Sequence, residues 1–168
     1  MIGREIVIVV PGRPAPKGSL KCVGRNGSHQ LVEDNARTKP WRTVVGSWAG
    51  RVVDKAGKRE AIGVEITSTI PRPYNQFGTG INAATLKDSA PPYPISTRTG
   101  DVDKLARLVL DALQDAGLLA NDAQVVECTT RKAYPKTPVP DALDEPGVVI
   151  RVYPYYADAP EPEIEFEP

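Results

Sequence analysis

The chain has 168 residues, of which 40% are hydrophobic and 25% are charged, as in an ordinary globular domain. It has no apolar run near the ~20 residues of a membrane helix, and two cysteines are too few for a disulfide framework, so we expect a cytoplasmic protein with reduced thiols. The zero net charge hides an asymmetry, since residues 1–60 carry 12 Lys and Arg against five Asp and Glu, and residues 141–168 carry one Arg against eight acids. This asymmetry favours a nucleic-acid partner, although a solvated surface would also produce it.

The first part of the chain predicts two strands, a hairpin and a helix. Residues 5–10 (EIVIVV) are β-branched and apolar, which is typical of a buried strand, and a proline-rich loop follows at 11–18. Residues 20–23 and 30–32 flank an Asn-Gly turn and predict a β-hairpin. A helix is predicted from about residue 39, because apolar residues recur at helical spacing: Trp41, Val44, Val45, Trp48 and Val52. Residues 62–70 alternate like a half-exposed strand.

The second part predicts a long loop, a helix and two strands. Residues 71–100 are rich in Pro, Gly, Ser and Thr without a sustained period, and loops of this length are usually functional or disordered. A helix is predicted over 103–117, with Asp103 as its N-cap and Gly117 as the residue that ends it. Strands are predicted at 124–130 and 147–153. Residues 157–168 predict a disordered acidic tail, which leaves 1–156 as the folded domain.

Three aspartates are candidate ligands of a hard metal ion. Asp101 and Asp103 lie two residues apart at the start of the predicted helix, and Asp122 lies just beyond its end. Carboxylate oxygens are the ligands that Mg²⁺ prefers. A helix of this length spans about 20 Å, so Asp122 meets the other two only if the following strand brings it round or if a second chain helps. Asp103 alone would also fit an N-cap and Asp122 alone a turn residue. His29, the single histidine, gives no basis for a histidine site.

Four segments follow one another in a recognisable order: GRPAPK at 12–17, GDVDKLARLVLDAL at 100–113, NDAQVV at 121–126 and the basic pair at 131–132. This combination resembles the RusA family of Holliday-junction resolvases. The family pattern has G-x-P-x-x-K after the first strand, D-x-D-N-L-x-K opening a helix that continues with L-D-A-L, then a D-D-x-Q-V strand entry and a basic pair. The resemblance covers most of residues 5–153.

The resemblance implies a small single domain of the α/β (α+β) class, RusA-like, with a mixed sheet and two main helices, which forms a homodimer. It implies a structure-specific endonuclease that resolves four-way junction DNA by paired symmetric nicks in recombination and repair. Mg²⁺ is the implied cofactor, with Mn²⁺ able to substitute for it. The resemblance also implies a protein encoded by a phage or prophage. Such a protein acts in the cytoplasm of a bacterial host and has no membrane partner.

The resemblance also assigns catalytic roles to five positions. Metal-ligand roles fall on Asp101, Asp103 and Asp122. The helix lysine of the family falls at Arg107, which could hold a phosphate but could not donate a proton near neutral pH, and Lys104 stands where the family has Asn and could take over that role. Asn121 replaces the first Asp of the D-D pair, which removes a negative charge near the metal.

Asp111 lies four residues after Arg107, so we expect it either to orient that arginine or to form a plain surface pair with it. The departures at Arg107 and Lys104 leave open a junction-binding protein with weak or no catalysis. A metal-dependent phosphatase acting on small substrates is a third hypothesis, although the chain has no phosphate-cradling glycine loop.

DNA contacts are expected from basic side chains in the loops and on the strand after Asp122. Phosphate contacts of this kind give affinity and salt dependence but no choice of sequence. An aromatic residue of the loop at 71–77 (PRPYNQF) could also stack on an unpaired base at the junction. The predicted DNA-binding residues are Arg13, Lys17, Lys21, Arg72, Arg98, Arg131 and Lys132, with Lys136 as a further candidate.

Overall fold

The computed structural model describes residues 2–155 apart from 19, 24–29, 34 and 53, and it describes no side chain between 19 and 34. The predicted Asn-Gly turn, His29, the Lys21 side chain and the tail at 157–168 therefore lie outside the described residues. The elements are β1 (Ile6–Pro11), β2 (Leu20–Val23), β3 (Gln30–Glu33), α1 (Thr38–Ala49), β4 (Ile62–Thr69), α2 (Val102–Asp115), β5 (Val125–Ala133) and β6 (Gly147–Pro154). The predicted hairpin is confirmed, since β2 pairs antiparallel with β3.

The main sheet has four strands in the order β1-β6-β4-β5. β6 is antiparallel to both of its neighbours, β1 and β4, whereas β4 and β5 are parallel. A parallel pair needs a long crossover, which the loop at 70–101 and α2 provide. The predicted class is confirmed: the chain forms one small α+β domain with a mixed sheet and two helices.

The core lies between the two helices and one face of the sheet. The apolar stripes that predict the helices are mostly the surfaces that they bury, with Val44 of α1 left 38% exposed. Each large aliphatic side chain removed from water contributes roughly 1.5–3 kcal/mol. No helix in the described ranges is long and apolar enough to cross a bilayer. The main core residues are Ile8, Val10, Trp41, Val45, Val64, Ile66, Leu108, Val109, Leu113, Ile150 and Val152.

Two predictions about strand burial are wrong. β1 was expected to be buried, but it is an edge strand whose Val7 and Val9 are 47% and 45% exposed on the face away from the helices. β4 was expected to be half exposed, but it is central and Thr67 and Thr69 on its second face are fully covered. The loop before β6 contributes to that cover, because the Leu143 backbone N–H donates to Thr69 Oγ1 at 2.9 Å.

The ends of α2 confirm one prediction and correct another. Gly117 adopts φ +67°, the left-handed conformation expected of a residue that ends a helix. The expected N-cap, Asp103, is instead in the first turn, and Asp101 occupies the N-cap position without a side-chain capping bond. The loop before the helix contains short 3₁₀ turns, such as Tyr74–Gln76 and Thr97–Thr99, and an isolated β-bridge between Phe77 and Leu86, in keeping with its lack of a sustained period.

Candidate active site

The start of α2 is packed against the N-terminal loop. Gly100 has φ +82°, and a Cβ at this position would lie 3.0 Å from the Pro16 ring, so both the conformation and the close approach require glycine. The Lys17 backbone N–H donates to the Lys104 carbonyl at 3.0 Å. Asp101 and Asp103 remain exposed beside this contact, where a solvent-borne ion or a DNA backbone can reach them.

The far end of β5 holds the same segment from the other side. Lys132 Nζ donates to the Gly100 carbonyl at 2.8 Å and lies 3.4 Å from Thr99 Oγ1. Thr99 is buried, and its hydroxyl donates to the Pro94 carbonyl at 2.9 Å. The backbone that leads into Asp101 is thus fixed by contacts from β5 and from its own loop.

Asp101 forms an ion pair with Lys104, with 2.8 Å between Oδ2 and Nζ. The hydrogen bond and the charge of Lys104 hold the pKa of Asp101 below its ordinary value, and the charge of Lys132 adds to the effect. The same pair raises the pKa of Lys104. At neutral pH the site therefore presents an ionised Asp101 that already has a cationic partner.

Asp122 lies at the opposite end of α2. Its backbone N–H donates to Gln114 Oε1 at 3.0 Å, near the helix C-terminus, whereas Asp101 and Asp103 are at the N-terminus. The 14 residues of α2 make these ends about 20 Å apart. β5 does run back along the helix, but the residue that it brings next to the start of α2 is Lys132. Asp122 stays near the C-terminal end of the helix.

Gln124 fixes the turn that carries Asp122, and its role was missed by the sequence analysis. Its side-chain oxygen accepts from the backbone N–H groups of Ala120 and Asn121, at 2.9 and 3.1 Å, and its amide nitrogen donates to the carbonyls of Gly57 and Glu60. The only signal was its place in the NDAQVV segment. Within the described parts of one chain, no three Asp, Glu, His or Cys side chains are grouped to hold a metal ion.

The expected pairing of Asp111 with Arg107 is wrong in both forms. Asp111 instead accepts from Lys17 Nζ at 2.6 Å, and Arg42 Nη1 lies 3.6 Å from the same oxygen. Arg107 is exposed and its guanidinium has no hydrogen bond or ion pair with another described residue. It lies four residues after Asp103 and therefore on the same side of the helix.

The predicted DNA-binding residues whose side chains the structure describes, a set without Lys21, fall into two groups. Arg13, Arg98 and the further candidate Lys136 are exposed, and their side chains make no hydrogen bond or ion pair within the described ranges. The others have partners inside the protein: Arg72 donates to Gln76 Oε1 and the Pro91 carbonyl, both at 3.1 Å, and lies over the Tyr134 ring. The remaining partnered residues are Arg131, which pairs with Glu65 at 2.8 Å, Lys17 with Asp111, and Lys132 with Gly100.

Arg37 is a second residue that the sequence analysis missed. It lines one cavity together with Arg13 and Arg98, directly beside the start of α2. Arg37 occupies the N-cap position of α1, without a capping hydrogen bond. A cation at a helix N-terminus is electrostatically unfavourable, but the sequence predicts a helix start at about residue 39 and therefore gave no sign of this position.

An acidic helix start flanked by exposed arginines, on a small α+β domain, is an arrangement suited to an enzyme that acts on a nucleic-acid backbone. The endodeoxyribonuclease RusA family matches residues 11–153, which is nearly the whole chain, and the protein belongs to that family. No curated protein matches the chain. Membership of the family implies nuclease activity on Holliday junctions.

Proposed function

We propose that the protein is a Mg²⁺-dependent endonuclease that resolves Holliday junctions by paired symmetric nicks. The observation that carries this proposal is the pair of exposed carboxylates, Asp101 and Asp103, on a rigidly held helix start beside exposed arginines. Family membership supplies the substrate class. Arg13, Arg98 and Arg107 are available to phosphates, because none of their guanidinium groups has a hydrogen bond or ion pair with a described residue.

A homodimer is part of the proposal because the described residues of one chain bring together no group of three potential metal ligands. Asp122 is about a helix length from Asp101 and Asp103. A two-fold axis interchanges the ends of two antiparallel copies, so that each copy can place its Asp122 beside the partner's first two aspartates. β5 is an edge strand of the described sheet, and an axis near its middle would have this effect. Two such sites also account for two symmetric nicks.

The residues have the chemistry that Mg²⁺ requires, since carboxylate oxygens are its preferred protein ligands. Asp101 and Asp103 would hold the ion with Asp122 of a second copy. The chemistry supplied by the bound ion is polarisation of the phosphodiester and activation of the attacking water. Arg107 would hold the scissile phosphate through its planar fork of donors and, as an arginine, would stay charged throughout.

The test is cleavage of a synthetic four-way junction by the wild type and by Asp103→Asn in the presence of Mg²⁺. We expect the wild type to give symmetric nicks on denaturing gels, a linear duplex of the same sequence to stay intact, and Asp103→Asn to lose cleavage while it keeps junction binding. Intact junctions after incubation with a folded, dimeric wild type would overturn the proposal.

The Lys104–Asp101 ion pair supports a second candidate, a junction-binding protein with weak or no catalysis. An ammonium at 2.8 Å from a metal-ligand oxygen competes with the ion for that ligand. The test is Lys104→Asn, which restores the family residue. Tight junction binding without product by the wild type, with cleavage gained in Lys104→Asn, supports this candidate, and efficient cleavage by the wild type excludes it.

A further inference from the structure

A cavity of about 380 Å³ opens next to the segment that leads into α2, and it is lined in part by Arg13 and Arg98, which the proposed function uses only as phosphate contacts. It lies between the N-terminal loop, the beginning of α1 and the loop after β4. It is large enough for one nucleotide, since small-molecule sites commonly begin near 300 Å³. The residues important here are Arg13, Arg37, Tyr74, Arg98 and Thr99.

The three arginines give this cavity an unbalanced positive charge. Arg13, Arg37 and Arg98 are all exposed, and none of their side chains has an acidic or carbonyl partner among the described residues. Like charges around one opening raise the local potential and attract an anion. Guanidinium groups match phosphate oxygens in geometry as well as in charge. The cavity is therefore suited to a phosphate-bearing ligand.

Tyr74 adds an aromatic surface to the rim of the cavity. Its side chain is 96% exposed, yet the turn that carries it is firmly anchored. Gln76 is buried and donates to Tyr134 Oη at 2.8 Å, while Arg72 donates to Gln76 Oε1. The Tyr74 ring is therefore solvent-exposed on an anchored turn, where a base can stack on it.

We propose that this cavity binds an unpaired nucleotide at the branch point, with its phosphates on the arginines and its base on Tyr74. This role rests on the proposed function and adds a nucleotide site to it. Thr99 lines the cavity, and Asp101 follows two residues later, so a nucleotide held here is close in the strand to the phosphate at the aspartates. A base at a branch lacks a complete stack and is less costly to extrude than one in a duplex. Stacking on tyrosine accepts any base.

The test uses a four-way junction that carries 5-iodouracil at the branch or, as a control, within an arm. This base crosslinks under ultraviolet light to an aromatic ring stacked on it. The protein carries Asp103→Asn, so that the DNA stays intact. We expect a crosslink to Tyr74 only from the branch position. Tyr74→Phe should keep the crosslink, and Tyr74→Ala should lose it and bind on the order of ten-fold more weakly.

Tyr93→Ala is the matched control, because Tyr93 is a 55% exposed tyrosine of the same loop that does not line the cavity. It should leave both crosslink and affinity unchanged. Arg98→Ala should weaken binding and reduce the slope of log K against log salt by about one. A branch crosslink to a residue outside the cavity, or equal affinities of Tyr74→Ala and Tyr93→Ala for the junction, overturns the nucleotide site.

Wild-type cleavage and a single-stranded oligonucleotide with the same iodouracil separate this proposal from the proposed function. Junction cleavage by the wild type without a Tyr74 crosslink leaves the endonuclease standing and overturns the nucleotide site. A Tyr74 crosslink to the single strand, combined with a wild type that leaves junctions intact, supports the nucleotide site and overturns the proposed endonuclease. Absence of both overturns both.

Discussion

Lys132, near the end of β5, donates a hydrogen bond to the carbonyl of Gly100, the residue immediately before Asp101. The two residues are 32 positions apart in sequence, and their contact fixes the backbone from which the first two aspartates project. Lys132 was predicted as a DNA contact, but its geometry is that of a positioning residue. Because such a residue acts through the aspartates, its loss should affect cleavage more than binding.

We predict that Lys132→Met lowers the cleavage rate at saturating junction by about 10- to 100-fold, since small displacements of reacting groups have effects of this size. The Kd and its salt dependence should change little. Single-turnover cleavage and binding titrations measure the two quantities. Lys58→Met, an exposed substitution near the other end of β5, is the control. A raised Kd, a salt slope smaller by about one and an unchanged saturated rate would instead indicate a phosphate contact.

Asp111 links the N-terminal loop to α2 and should contribute to stability. It is 19% exposed and accepts from Lys17 Nζ at 2.6 Å. We predict that Asp111→Asn lowers the free energy of unfolding by about 1–2 kcal/mol, because a partly buried, charge-assisted hydrogen bond is weakened. Asp115→Asn, at a 54% exposed carboxylate paired with Arg42, should cost less than about 1 kcal/mol. Urea unfolding compares them, and the reverse order would refute this assignment.

The sequence was sufficient for elements whose burial pattern is local. The apolar stripe of α2 and the left-handed Gly117 follow from residues within the helix and its end. The exposure of β1 and β4 could not be obtained in this way, because it depends on which strand lies at the sheet edge. Val7 is exposed since β1 has β6 on one side only, and Thr67 is covered since β4 lies between two strands.

In the candidate site, too, local features could be predicted from the sequence and long-range contacts could not. Spacing within one segment predicted that Asp101 and Asp103 lie at the start of a helix, and in the structure Asp101 is its N-cap and Asp103 is in its first turn. The pairing of Arg107 with Asp111 was also predicted from local spacing, and it fails because Lys17 arrives from a loop 94 residues away. Contacts of this range depend on the packed fold, which a periodicity along the chain does not encode.

Arg107 is predicted to hold the scissile phosphate. It has no hydrogen-bonding or ionic partner in the described structure and lies on the same side of α2 as Asp103. We expect Arg107→Ala to reduce cleavage by about 10²–10³-fold, as for other donors that stabilise developing charge, and Arg107→Lys, the family residue, to restore most of it. Single-turnover rates with saturating junction provide the measurement. Equal rates for Arg107→Ala and the wild type would assign the role elsewhere, with Lys104→Ala as the next variant to measure.

The ion pair between Asp141 and Arg151 makes a prediction about acid stability. Arg151 donates Nε and Nη2 to the Asp141 carboxylate at 2.7 and 2.6 Å, and these bonds hold the pKa of Asp141 below its ordinary value of 3.8. A depressed pKa in the folded state stabilises the fold above the ordinary value, and this contribution is lost as the pH falls below it.

Asp141→Asn should therefore destabilise the protein at pH 7 and lose less stability than the wild type between about pH 4 and pH 2. Asparagine tolerates the φ of +60° at this position, so the backbone is not strained by the change. Urea unfolding at each pH provides the profile, and Asp88→Asn, at an exposed loop position, should track the wild type. A profile of Asp141→Asn parallel to that of the wild type would show that the pair contributes no pH dependence.

A mixing experiment tests whether the aspartates meet across two chains. If each site takes Asp103 from one copy and Asp122 from the other, Asp103→Asn and Asp122→Asn homodimers have a defect in every site. A mixed dimer has one doubly defective site and one intact site. Co-refolding the two inactive variants should therefore restore single-strand nicking. In an equal mixture about half of the dimers are mixed, so about a quarter of the wild-type number of sites are intact. Nicked and resolved junctions are separated on native and denaturing gels.

A site contained within one chain would give no recovery, because each chain carries one substitution. Co-refolding Asp101→Asn with Asp103→Asn is the matched control: both residues come from the same copy, every site stays defective, and recovery there would contradict the shared site.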